Sequence, residues 1–237
     1  MKYINHLIEP NRLLLLWQAQ DSKSRSRYIV GELARNNNTV SLTYFKDTSD
    51  FHNACEHGFA GYPAFQIKVA TTFDNHVIEA FSRRLPPRSR SDFHRYLELR
   101  GINPDMPISD FALLGYTGAK LPDDGFELVH PFDTAEGAFE LIIEIAGFRH
   151  ESDVTPEKLS LEDKVDFVTE PENRHDPEAI RIEKDGEKLG YVDRGRLKLF
   201  HKHIQSGSCI QGEIIRKNGT SDRPLIYIYT SVIPRKN

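Results

Sequence analysis

The stretch Glu170-Pro171-Glu172-Asn173-Arg174-His175-Asp176-Pro177 separates two runs in which apolar and polar residues alternate. Alternation with a period of two is typical of strands, so the sequence predicts a loop between two strands here. One interpretation is a binding pocket, in which His175 presents a flat face while Asn173 and Asp176 offer hydrogen bonds. The other is an ordinary turn, because Asn, Asp and Pro are common turn residues.

The residues around this loop predict a β-rich C-terminal half. Its predicted strands are Phe139–Phe148, Lys164–Thr169, Ala179–Glu183, Lys188–Val192, Cys209–Arg216 and Leu225–Val232. Asp185-Gly186 between two alternating runs is a strong hairpin signal. The apolar spacing over Gly195–Ile204, preceded by the capping residue Asp193, predicts a helix.

A second group of polar residues, Gly147-Phe148-Arg149-His150, follows the first predicted strand of this half. Arg149 could bind a phosphate through two parallel hydrogen bonds, a geometry that Lys does not offer. The alternative is a solvated strand end, since single arginines are common on surfaces.

The N-terminal half has a mixed pattern. Arg12–Gln20, Tyr28–Leu33 and Val40–Phe45 alternate and predict an antiparallel meander, and Phe65–Val69 and Val77–Phe81 predict two more strands. Helices are expected at Asp50–His57, after Ser91, and at Phe111–Leu114. Turn residues and a change in composition near 131–137 indicate a boundary between domains at 1–132 and 138–237. The predicted fold class is therefore α+β.

The charge is distributed unevenly along a chain of 237 residues with a net charge of −4. Residues 133–193 hold 7 basic and 18 acidic side chains, whereas residues 194–237 hold 9 basic and 2 acidic ones. Proteins that coat duplex nucleic acid need a broadly basic surface, because phosphate neutralisation dominates their affinity. The composition argues against such binding and leaves a small pocket for one nucleotide or one strand end.

The sequence gives little support for catalysis or for a metal site. It contains no nucleophile elbow, zinc-protease helix or phosphate-binding glycine loop, so we expect neither an enzyme nor a cofactor. His201 and His203 are predicted on the exposed face of a helix, where a spacing of two makes them poor joint metal ligands. No apolar run approaches the ~20 residues that span a bilayer. With no secretory signal at the N-terminus, we expect a cytoplasmic protein.

The C-terminal half resembles the HIRAN domain. The resemblance lies in Leu141–His150, the Glu170-Pro171-x-Asn173-x-x-Asp176 pattern, Ala179-Ile180 and Gly190-Tyr191-Val192 with the helix that follows, and it covers about residues 138–233. HIRAN domains occur in DNA-remodelling proteins of the SWI2/SNF2 class and alone in bacteria. The resemblance implies a small, modified OB-like β-barrel that captures the free 3′-hydroxyl end of single-stranded DNA.

The resemblance also implies which residues bind DNA. They fall on three segments of the domain: Arg149 and His150; Asn173, His175 and Asp176; and Tyr191 and Arg194. By position, Arg149 and Arg194 would meet phosphates, His150 and His175 would stack on a base, and Asp176 would accept a hydrogen bond from the 3′-hydroxyl. The family has Tyr where His150 and His175 stand, and the smaller imidazole ring predicts weaker stacking.

The N-terminal half more faintly resembles the N-terminal subdomain of HipA-type kinases. The residues that carry this similarity are Gly31-Glu32-Leu33, Tyr44-Phe45, Phe81–Pro87 and Ser109–Gly115. The kinase body is missing, so the resemblance implies a regulatory partner of such a kinase and no phosphoryl transfer. Two functions thus stand side by side: recognition of a DNA end, and an antitoxin-like protein interaction.

Overall fold

A computed structural model describes residues 2–19, 26–37, 39–152 and 154–235. The chain divides into two compact units. One contains residues 8–96 and 104–134, and the other contains residues 1–7, 97–103 and 135–237. The domain limits expected from the sequence, 1–132 and 138–237, stay a prediction.

The first unit is built on a five-stranded antiparallel sheet with the order β6-β3-β2-β1-β7. Its strands are β1 (Arg12–Gln18), β2 (Arg27–Asn36), β3 (Thr39–Tyr44), β6 (Thr72–Phe73) and β7 (Phe126–Val129), and a separate two-stranded sheet pairs β4 (Gly61–Tyr62) with β5 (Phe65–Gln66). The predicted meander is confirmed, because β1, β2 and β3 pair in sequence order. Gln20, the last residue of the predicted first strand, lies outside the described residues.

Helices cover this sheet and bury an aromatic core. They are α1 (Ser49–Glu56), α2 (Val77–Ser82) and α4 (Asp110–Thr117), and a further helix, α3 (Phe93–Glu98), has residues in both units. The strand expected at Val77–Phe81 is wrong, because this segment forms α2. Val77 and Phe81 are its buried residues, and a spacing of four matches a helix. A short apolar run fits both periods, so its sequence alone cannot distinguish them.

The second unit is a curled six-stranded sheet with the order β11-β10-β9-β12-β13-β8. Its strands are β8 (Phe139–Glu144), β9 (Lys164–Thr169), β10 (Ile180–Lys184), β11 (Glu187–Tyr191), β12 (Cys209–Thr220) and β13 (Arg223–Ile233). Beyond the end of β8, Ala146 forms an antiparallel bridge with Tyr191 of β11, so the two edges of the sheet meet. This curling confirms the predicted OB-like barrel and the α+β class.

Gly190 permits the contact between the two sheet edges. The backbone amide and carbonyl groups of Ala146 and Tyr191 exchange two hydrogen bonds of 2.9 Å. A Cβ atom on Gly190 would lie 2.5 Å from the carbonyl oxygen of Ala146, and the residue has a φ of +143°. Only glycine fits both the backbone conformation and the close approach at this point.

Two helices complete the second unit: α5 (Phe148–Glu151) and α6 (Leu197–Gln205), which follows a 3-10 turn at Arg194–Arg196. The ring of Phe200 on α6 packs 4.9 Å from that of Phe167 on β9 and helps to fill the barrel. Buried Asp193 precedes the 3-10 turn and pairs with buried Arg196 at 2.7 Å. The expectation that His203 is exposed is wrong: only 4% of it is accessible, because it lies on the face of α6 that packs inward.

Candidate functional site

Backbone hydrogen bonds stabilise the base of the loop between β9 and β10. The amide of Glu170 donates to the carbonyl of Ala179, and the amide of Ala179 donates to the carbonyl of Asp176, both at 2.9 Å. The predicted loop is therefore present, and its two ends are joined by main-chain contacts.

Asn173 organises the interior of this loop with both ends of its side-chain amide. Its Oδ1 accepts hydrogen bonds from the backbone amides of His175 at 2.9 Å and Asp176 at 3.1 Å. Its Nδ2 donates to Glu170 Oε2 at 2.6 Å and to the hydroxyl of Tyr191 at 2.9 Å. A single side chain thus fixes the loop backbone and joins it to the end of β11.

Glu170 accepts hydrogen bonds from several donors at the base of the loop. Its Oε2 accepts a second hydrogen bond from the hydroxyl of Tyr191 at 2.9 Å, and its Oε1 lies 3.3 Å from the guanidinium of Arg181. The hydrogen bond from Asn173 lowers the pKa of Glu170 the most; the bond from Tyr191 and the charges of Lys188 and Arg181 lower it further, against partial burial. Glu170 is therefore a charged acceptor that orients two predicted site residues.

Asp176 presents a partly exposed carboxylate next to a cation. Its Oδ1 accepts a hydrogen bond from the backbone amide of Glu178 at 2.9 Å. Its Oδ2 lies 3.5 Å from a guanidinium nitrogen of Arg194, and the two side chains are 31% and 45% exposed. Because a carboxylate has about four acceptor positions, Asp176 keeps capacity for a hydroxyl donor from a ligand.

Arg149 and His150 lie on α5, and the strand predicted at Phe139–Phe148 is too long: β8 ends at Glu144 and Phe148 begins the helix. Gly147, with a φ of +75°, ends the extended segment and precedes the helical turn, in which Phe148 is buried while Arg149 and His150 are exposed. The turn packs on β11: Glu151 pairs with Lys188 at 2.7 Å, and the Lys188 ammonium lies 4.4 Å from the Tyr191 ring centre.

The seven predicted site residues all lie in the second unit, on three neighbouring segments. Asn173 with Tyr191, and Asp176 with Arg194, are joined by the contacts above. The side chains of Arg149, His150 and His175 are exposed and make no hydrogen bond or ion pair within the described part of the chain. The two joined pairs therefore form a fixed frame, and the three exposed side chains are accessible to a ligand.

Sequence reasoning missed two residues that support this frame, Glu170 and Lys188. Glu170 carries a local signal, because its position three residues before Asn173 in a turn favours a hydrogen bond between the two. Lys188 has no such local signal in the sequence, since its partner Glu151 lies 37 residues away.

The described residues hold neither a metal-binding cluster nor a membrane-spanning helix. Across residues 2–19, 26–37, 39–152 and 154–235, no group of three or more His, Cys, Asp or Glu side chains could hold a metal ion. Within the same ranges, no helix has both the length and the apolar character needed to cross a membrane.

Residues 138–232 match the family model of the HIRAN domain. Among solved structures, the chain is similar to the HIRAN domain of human HLTF, with 15% identity and a TM-score of 0.35, over 42% of this chain and 82% of that one. It is also similar to a protein from Lactobacillus plantarum, with 20% identity and a TM-score of 0.35, over 41% of this chain and 97% of that one. No curated protein matches the chain.

Proposed function

Because residues 138–232 are a HIRAN domain, we propose that this protein binds single-stranded DNA at its free 3′-hydroxyl end. A HIRAN domain implies nucleic-acid binding, and in this proposal the loop between β9 and β10, the pocket loop, recognises the terminal nucleotide. The protein acts in this proposal by binding alone, without catalysis and without a cofactor. The resemblance of the N-terminal half to HipA-type kinases, and the kinase partner it implies, stay predictions.

The observation that carries the proposal is the pairing of Asp176 with Arg194. A terminal nucleotide presents a hydroxyl donor at its 3′ carbon and a phosphate on its 5′ side. Asp176 would accept a hydrogen bond from the hydroxyl, and Arg194, 3.5 Å away, would contact the phosphate. A 3′-phosphate would bring negative charge to the Asp176 carboxylate and be repelled.

The exposed side chains have complementary roles in the same proposal. Arg149 on α5 would hold a neighbouring phosphate, since its guanidinium is exposed and makes no internal ion pair within the described residues. The exposed rings of His150 and His175 would stack on the last base. Asn173 and Tyr191 would act as the frame that holds the loop, because their polar groups already bind each other and Glu170.

The test compares two oligonucleotides that differ only at the 3′ end, one with a free hydroxyl and one with a phosphate. We expect the protein to prefer the free end, and the change Asp176→Asn to reduce this preference by about tenfold or more, because a hydrogen bond to a charged group contributes about 1.5–3 kcal/mol. Glu172→Gln is the matched control, since it removes one exposed charge from the same loop. A preference unchanged by Asp176→Asn would refute the assigned role.

A further inference from the structure

The exposed face of α6 carries a row of basic side chains. Lys198 and Lys202 are exposed and His201 is partly exposed, and their spacings of three and four residues place them on one side of the helix. The opposite side is buried in the barrel through residues that include Phe200 and His203. Neither lysine has an ion-pair partner within the described part of the chain.

This basic face begins at the candidate pocket. Arg194, which lies 3.5 Å from Asp176, is in the 3-10 turn that leads directly into α6. One turn into the helix, His201 Nε2 donates a hydrogen bond of 2.8 Å to the carbonyl oxygen of Glu178, at the end of the pocket loop. The loop and the basic side of α6 are therefore in direct contact.

The charges beside the pocket favour one direction for a bound strand. The loop carries exposed carboxylates at Glu172 and Glu178, which repel phosphates. The segment from Arg194 to Lys202 carries four cationic side chains, of which Arg196 alone is buried and paired with Asp193. It extends for about 12 Å at the helical rise of ~1.5 Å per residue. This length accommodates about three phosphates of a stacked strand, which has the axial spacing of ~3.4 Å found for each strand of a duplex.

We propose that α6 is a second contact surface for the same DNA strand, on which Lys198 and Lys202 bind phosphates on the 5′ side of the captured terminal nucleotide. This inference rests on the proposed function, because the pocket sets the position of the strand end. A trinucleotide would fill the pocket without reaching both lysines, whereas a longer strand would follow the helix.

The experiment measures the affinity of the full chain for a trinucleotide and a dodecanucleotide, both with free 3′-hydroxyl ends, over a range of salt concentrations. In the double variant Lys198→Gln, Lys202→Gln, we expect the slope of log K against log salt for the dodecanucleotide to become less steep by about 1.4, at ~0.7 per phosphate. That change corresponds to about 25-fold weaker binding at 0.1 M salt, relative to equal binding at 1 M. Trinucleotide binding should change less, by a slope of about 0.7 or below, because its two phosphates reach at most one of the two lysines.

The matched control is the double variant Lys68→Gln, Lys158→Gln, which removes the same charge from exposed lysines outside α6. It should leave both affinities as in the wild type. Unchanged dodecanucleotide affinity in the variant Lys198→Gln, Lys202→Gln would overturn the inference about α6 without affecting the proposed pocket. An equal loss of affinity for the trinucleotide and the dodecanucleotide would also overturn it. Equal wild-type affinity for free and 3′-phosphorylated dodecanucleotides would instead refute the proposed function, and with it the inference that the strand continues from the pocket along α6.

Discussion

The substitution Asn173→Asp tests the frame of the pocket with almost no change in shape. It keeps an oxygen to accept from the amides of His175 and Asp176. It also replaces the donor that lies 2.6 Å from Glu170 Oε2 and 2.9 Å from the hydroxyl of Tyr191 with a second oxygen. Two carboxylates would then face each other where the wild type has a hydrogen bond.

The destabilisation of the loop by Asn173→Asp follows from the distance between the two carboxylates. Two unit charges about 3 Å apart repel by roughly 1.4 kcal/mol in water and by roughly 5.5 kcal/mol at an effective dielectric constant of about 20. The Glu170 side chain is 26% exposed, which lies between these limits, so we expect the loop to be destabilised by about 2–4 kcal/mol at pH 7. Even the lower value increases the population of the open loop by about 30-fold.

The pH dependence has a definite sign. Repulsion raises the pKa of one carboxyl of the pair, and a group with a raised pKa in the folded state contributes stability that is lost as the pH rises through that pKa. The variant should therefore recover stability between pH 7 and pH 5. In the wild type the pKa of Glu170 lies below 4.5, so this carboxylate causes no change in stability over that range.

Hydrogen–deuterium exchange of peptides within residues 164–192, corrected for intrinsic rates, measures this local opening. Peptides from β2 and β3 of the other unit provide an internal reference. Adding Glu170→Gln to Asn173→Asp should restore protection, because only one charge then remains. If the variant exchanges equally fast at pH 5 and pH 7, or is protected like the wild type at pH 7, the account of this frame is wrong.

Three further predictions concern the same unit. Tyr191→Phe should weaken binding of free 3′ ends, because the hydroxyl that joins Asn173 and Glu170 is lost while the ring stays; oligonucleotide titration measures this. Loop protection in the wild type should fall as the pH drops from 4.5 through the lowered pKa of Glu170, since stability from a lowered pKa is lost on protonation, and Glu170→Gln should abolish this acid dependence in hydrogen exchange. Asp193→Ala should destabilise α6, seen as faster exchange of its amides, because buried Arg196 loses its ion pair of 2.7 Å with this carboxylate.

Much of the second unit could be predicted from local sequence patterns. Polar and apolar residues alternate over Lys164–Phe167 in β9 and over Ile180–Glu183 in β10, and Asp185-Gly186 forms the predicted turn, with φ values of +53° and +83°. These features depend on neighbouring residues in the chain. The pocket loop is likewise defined by Asn, Asp and Pro, whose turn chemistry is local.

Other features depend on contacts that the sequence does not display. The segment at Phe148 leaves the strand because Gly147 adopts a positive φ where the barrel edges meet, and that meeting involves Ala146 and distant Tyr191. Whether His203 is buried depends on which face of α6 covers the barrel. The role of Lys188 depends on Glu151, on a different element. Such details follow from tertiary packing and not from periodicity.

The most direct test of end recognition is a hydrogen-exchange map of the full chain with and without an oligonucleotide. With a free 3′-hydroxyl end, the account predicts slower exchange at 170–178 and in α5, and little change in β1, β2 and β3. With a 3′-phosphate end at the same concentration, protection at 170–178 should be largely lost. Equal protection of this loop by both oligonucleotides, or protection confined to residues 8–96, would contradict the claim that the pocket binds a free DNA end.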